Sequence, residues 1–105
     1  MKITKPSEIT PLYEEGGVTG RRISARPGVE IIHMSLEPGA VLAPHTTPFD
    51  AQFFSHQGTA VFMVGDGEIT AAQGTLLDCP GSTPHGIRND TEAAIAVLVI
   101  KYLRT

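Results

Sequence analysis

The stretch Gly74–Asn89 reads GTLLDCPGSTPHGIRN, and the rest of the chain is organised around it. A short apolar run, Thr75-Leu76-Leu77, leads into a Pro80-Gly81 turn. His85 follows a second proline, Pro84, and Asn89 closes the segment. A strand, a rigid turn and a histidine at the head of the next strand hold one imidazole in place on a β scaffold. That arrangement suits a metal site or an acid–base site, because neutral imidazole ligates transition metals and changes charge near neutral pH.

Outward from this stretch the same punctuation repeats. Gly16-Gly17, Arg26-Pro27-Gly28, Glu37-Pro38-Gly39, Gly58, Gly65-Asp66-Gly67, Gln73-Gly74 and Asn89-Asp90 are turn signals. Between them lie strand candidates at 18–25, 29–36, 41–43, 52–57, 59–64, 68–72, 75–79, 85–88 and 93–103. Val29–Leu36 alternates cleanly, with Ile32, Met34 and Leu36 on one face and Ile31, His33 and Ser35 on the other. Gly65-Asp66-Gly67 is a hairpin turn. No window carries a sustained helical period with caps. Eleven glycines and eight prolines among many short strands predict an all-β sandwich or barrel.

The bulk numbers narrow the function classes. The 105 residues suffice for one domain, taken as 1–105 with an extended arm at 1–15 that could add an edge strand. Apolar residues make up 41%, and mean hydropathy is +0.03. The net charge is −3 with no basic stripe beyond Arg21-Arg22, which argues against nucleic acid as a partner. The single cysteine, Cys79, excludes an intrachain disulfide and reads as a buried structural thiol. MKITKPSEIT lacks the apolar core of a signal peptide, and the run Ala93–Ile100 is far short of the roughly 20 residues of a membrane helix. A soluble, cytoplasmic protein in a reducing setting is expected, with no membrane partner.

Two segments now resemble the paired signature motifs of the cupin superfamily. In GAVLAPHTTPFDAQFFSHQG, Gly39–Gly58, the residues Gly39, His45 and Gly58 match the first motif: glycine, five residues, His-x-His, three or four residues, glutamate, six residues, glycine. In the opening stretch Gly74, Pro80, His85 and Asn89 match the second: glycine, five residues, Pro-x-Gly, two residues, histidine, three residues, asparagine. The resemblance implies an all-β double-stranded β-helix, the jelly-roll barrel of small single-domain cupins. It also implies a divalent metal (Zn, Ni, Fe or Mn) held inside by the motif histidines and glutamate.

The sequence departs from the motifs at three places. Thr47 replaces the second histidine, the glutamate is missing, and Ser82 replaces the glycine of Pro-x-Gly. Counting forward from Thr47 with a four-residue gap puts Gln52 in the glutamate place, where its amide oxygen could ligate; counting back from Gly58 puts Ala51 there. The two counts set opposite faces of one strand inward. With Gln52 inward, Phe54 and His56 follow it; with Ala51 inward, Phe53 and Ser55 do. The working expectation takes Gln52, giving a metal set of His45, Gln52 and His85, with Thr47 in the substrate pocket. Asp78, or His56, would be the proton carrier, and a buried Asp78 carboxylate would have a raised pKa. His33 is expected at the surface or an interface, and Asn89 as a turn-closing residue.

Two functions follow. One is a metal-dependent cupin binding a sugar, sugar acid or carboxylate, with isomerase-, lyase- or oxygenase-like chemistry. The alternative is a metal-free, non-catalytic ligand-binding or sensor cupin. Apolar residues on the outer faces of the later strands predict a homodimer through sheet-to-sheet packing.

Overall fold

The computed structural model describes residues 1–103; Arg104 and Thr105 lie outside the described residues. After a 3-10 turn at Pro6–Glu8, the described residues run through ten strands. They are β1 (Tyr13–Glu15), β2 (Val18–Arg26), β3 (Val29–Leu36), β4 (Val41–His45), β5 (Asp50–Gln57), β6 (Ala60–Val64), β7 (Gly67–Ala71), β8 (Leu76–Cys79), β9 (His85–Arg88) and β10 (Ile95–Tyr102). Each strand expected from the turn signals is present. The differences are at the ends: β4 continues through Pro44 to His45, β5 begins at Asp50, and β10 begins at Ile95. The arm contributes β1, which pairs with β2 across Gly16-Gly17. No helix among the described residues is long and apolar enough to cross a membrane.

The strands form two antiparallel sheets, one of six strands in the order β1-β2-β3-β10-β5-β8 and one of four in the order β4-β9-β6-β7. This is the jelly-roll expected from the motifs. Alternation decides what lies between the sheets. Ile32, Leu36, Phe53, Phe62, Ile87 and Val97 are all at most 1% exposed and form the centre of the core. Phe53 of the large sheet stacks on Phe62 of the small one, with ring centroids 5.4 Å apart and planes 9° from parallel. Burying each such side chain contributes roughly 1.5–3 kcal/mol, so this contact ties β5 to the opposite sheet.

Asn89 does more than close its turn. It is fully buried, and its Oδ1 accepts from the Thr91 backbone N–H at 2.9 Å and the Thr91 hydroxyl at 2.7 Å. Its Nδ2 donates to the carbonyls of Leu36 at 3.0 Å and Ala93 at 2.9 Å. One side chain thereby fastens the end of β9 to the end of β3 and to the loop that leads into β10.

Ser82 sits at φ 64°, in the left-handed region, which explains why the motif carries glycine here. Its N–H donates to the Thr47 carbonyl at 2.7 Å, and the neighbouring Gly81 N–H donates to Asp50 Oδ1 at 2.7 Å. The turn of the second motif is thus docked onto the loop of the first. Only glycine fits at 81, since a Cβ there would lie 2.8 Å from the Pro48 carbonyl oxygen.

Two substitutions test this frame by urea unfolding. Asn89→Ala leaves the buried Leu36 carbonyl without this donor and removes the acceptor of Thr91, so a loss of about 1–3 kcal/mol is expected; an unchanged midpoint would contradict the fastening role. Ser82→Gly should stabilise by about 0.5–1 kcal/mol, the left-handed strain relieved less the extra entropy of glycine in the unfolded chain. A lowered midpoint would show that the serine conformation is not strained.

Candidate functional site

The two motif histidines meet at one end of the barrel. His45 ends β4, His85 begins β9, and the two are cross-strand partners. The pairing shifts register between Leu42 and His45, where Pro44 has no N–H to give to the ladder. Gly86 lets β4 come close, because a Cβ there would stand 2.6 Å from the Leu42 carbonyl oxygen. The imidazole centroids are 4.5 Å apart at an angle of 58°, and the Phe53 ring lies 5.4 Å from His85.

The backbone sets the tautomers. His85 is 7% exposed, and its Nδ1 lies 3.0 Å from the Thr83 carbonyl; a carbonyl only accepts, so Nδ1 carries the proton and Nε2 the lone pair. His45 Nδ1 makes the same kind of contact, longer at 3.4 Å, with the Ala43 carbonyl. Burial pushes the His85 pKa below the usual 6.5, the charges of His45 and Lys101 push the same way, and the bond to Thr83 opposes them. His85 is therefore neutral at pH 7.

A cavity of about 60 Å³ opens beside these rings, lined by the apolar Leu42, Phe49, Phe53 and Ile87 and also by Thr47, Ala51 and Lys101. At about 30 Å³ per water it holds about two waters. Thr47 lines this cavity, and its hydroxyl donates to the Phe49 carbonyl at 3.4 Å.

The register of β5 corrects the remaining assignments. Ala51, Phe53 and Ser55 are buried, whereas Gln52 and Phe54 are half-buried and His56 exposed on the other face. Gln52 is therefore no partner of His45 and His85. Its Nε2 donates to Asp78 Oδ1 at 2.8 Å, and its Oε1 accepts from the Tyr102 hydroxyl. Asp78, the cross-strand partner of Gln52, shares that outer face and is exposed, so it is neither buried nor near the imidazoles. His56 lies against His33, with ring centroids 6.1 Å apart, also outside the barrel. Cys79, opposite Asp78, points inward as a buried free thiol whose pKa is raised by burial first and by Asp50 second.

Lys101 is the residue that the sequence reading missed. It is the cross-strand partner of Ala51, and it follows the inward positions Ile95, Val97 and Val99 at the period of two. Two clues were available. The three-residue gap that the first motif also permits lands on Ala51, in agreement with the count back from Gly58. Extending the inward alternation of β10 by one step reaches a lysine.

These donors do not fit a tightly held transition metal. They amount to two imidazoles and a hydroxyl, with alanine in the carboxylate place and a lysine as its cross-strand partner. A structural or catalytic centre of zinc type takes three or four strong ligands. Among the described residues no group of three His, Cys, Asp or Glu side chains is placed to share a metal ion.

Comparison with solved structures finds the same fold repeatedly. A predicted oxalate decarboxylase from Thermotoga maritima superposes with a TM-score of 0.86 at 17% identity, over 98% of this chain and 100% of that one. KdgF from Halomonas sp. gives 0.83 at 17%, over 99% and 96%. A sugar phosphate isomerase of the cupin superfamily from Silicibacter pomeroyi gives 0.80 at 21%, over 99% and 76%. At these identities the likeness shows the fold alone. Comparison with curated proteins finds no match to the sequence. The family model of the cupin domain matches residues 32–101, two thirds of the chain, and with both motif histidines meeting inside a jelly-roll barrel this chain belongs to the cupin family.

Proposed function

We propose that the protein binds one small polar molecule in its barrel cavity, on His45 and His85, without depending on a resident divalent metal. The observation that carries this reading is the register of β5. Ala51 rather than Gln52 faces the imidazoles, so the donor set ends at two imidazole nitrogens and the Thr47 hydroxyl. What remains is recognition chemistry: two Nε2 lone pairs able to accept from a ligand, set in apolar walls. Asp78 and His56, the expected proton carriers, lie outside the barrel, which favours recognition over catalysis.

One observation favours the second reading, a metal-dependent cupin with isomerase-, lyase- or oxygenase-like chemistry. Each imidazole has its Nδ1 engaged by a backbone carbonyl, as metal-ligating histidines commonly do. For the assembly we propose a homodimer through the outer face of the six-stranded sheet. There the cross-strand neighbours Ile31 and Ile100, and Phe54 and Leu98, remain half-buried in an apolar strip.

Metal analysis of untagged protein, purified without chelator, separates the two readings. Well under one equivalent of zinc, nickel, iron or manganese is expected, with an unchanged Tm when zinc, nickel or iron(II) is added. A full equivalent that disappears in His85→Ala while the fold survives would establish the metal-dependent reading.

The neutral His85 also gives the acid limb of the stability curve its sign. Above the unfolded value near 6.5 neither state binds the proton. Below it the unfolded chain protonates first, so stability is lost as pH falls toward the lowered folded value. His33, lowered by burial and then by His56 and Arg21, acts in the same direction. Urea midpoints should decline below about pH 6.5, and His85→Gln should remove part of that decline. An unaltered slope in the variant would mean that His85 is not held neutral by the fold.

A further inference from the structure

Lys101 gives the cavity a charge opposite to that of the motif it replaces. Ala51 occupies the place the first motif gives to a carboxylate, and its cross-strand partner is a lysine on the inward face of β10. Lys101 lines the same cavity as His45 and His85, and its charge is felt at the His85 ring. The ion pairs among the described residues are Arg22 with Glu30 and Arg88 with Glu68 and Asp90, so no carboxylate there neutralises Lys101. β5 presents Ala51 and Phe53 to the cavity and β9 presents His85 and Ile87, none of them acidic.

Lys101 is half-buried beside apolar walls, where an ammonium attracts an anion more strongly than one in open water because the surrounding dielectric is lower. The imidazoles add a second requirement. With Nδ1 turned to the backbone, each offers a lone pair at Nε2, which repels a carboxylate oxygen and accepts from a hydroxyl. The preferred ligand therefore carries a carboxylate at one end and an O–H donor one or two bonds away. The cavity size sets the length. Room for about two waters keeps the ligand short, a carboxylate with its hydroxyl on the next carbon. A longer acid would emerge past the exposed His45.

We propose that the cavity is a site for a short 2-hydroxy acid, whose carboxylate pairs with Lys101 and whose hydroxyl donates to Nε2 of His85 or His45. This rests on the metal-free reading above and names its ligand class. No covalent step is involved; Lys101 is a binding residue that takes the place of metal and carboxylate together.

The test is an NMR titration of the full chain in chelator-treated buffer, following the Cε1–H signals of its four histidines. The probes are glycolate, acetate (no hydroxyl) and glycolamide (no charge). His45→Gln and His85→Gln assign the two cavity signals, and His33 and His56 on the outer face serve as internal references. Glycolate should shift only the cavity pair and bind at least tenfold more tightly than either control. Lys101→Met keeps the aliphatic stem and should weaken glycolate at least tenfold with the circular dichroism unchanged; Lys101→Arg should retain most of the affinity. If glycolamide matches glycolate, or Lys101→Met retains full affinity, the anion assignment falls while cavity binding stands. If none of the three moves the cavity signals, or glycolate binds only with added zinc and regardless of Lys101, both readings fall.

Discussion

The site depends on which face of β5 is turned inward. A strand shifted by one residue exchanges all its side chains between core and exterior, so the register must be held firmly. Here it is held from three directions. Phe53 stacks on Phe62 across the barrel. The Ser55 hydroxyl, fully buried, reaches the carbonyls of Ala71 at 3.1 Å and Gly58 at 3.2 Å, and its backbone exchanges hydrogen bonds with Gly74 and Thr75. On the outer face Tyr102, Gln52 and Asp78 form a hydrogen-bonded row across β10, β5 and β8. Turning Gln52 inward would break all three at once and put Phe53 outside. The stability of the barrel therefore decides the chemistry of its cavity.

The same contacts explain what was legible in the sequence. Turn residues and strand alternation are local, so an all-β sandwich or barrel could be read directly; the second motif is continuous from Gly74 to Asn89, and its resemblance to the cupin motif implied the jelly-roll and the inward His85. The ambiguous step crossed Pro48-Phe49-Asp50, a loop with slack. The count from Gly58 ran along a strand, where the period of two leaves none. What takes up the slack is docking of that loop onto the turn of the other motif, through Ser82 N–H to the Thr47 carbonyl and Gly81 N–H to Asp50. A contact between segments some thirty residues apart leaves no local trace, and only the missing side chain at Gly81 hints at it. Lys101 was hidden differently: it ends an apolar run, where attention rests on hydrophobicity and passes over the face.

On the proposed reading, the departures at Ala51 and Lys101 form one change. In a metal-loaded cupin with neutral histidines, a divalent ion and one carboxylate sum to a single positive charge. Here alanine contributes none and lysine contributes one, so an anionic ligand meets the same net charge with no ion present. The two arrangements differ in what they do once the ligand is bound. A metal ion accepts electron density from a coordinated oxygen and lowers the barrier to enolisation or bond cleavage. An ammonium on a flexible stem attracts and orients but does not polarise to that degree. Exchange of one for the other preserves affinity while removing the driving force for chemistry, and the outward positions of Asp78 and His56 accord with that, since a site that only recognises its ligand has no use for a proton carrier.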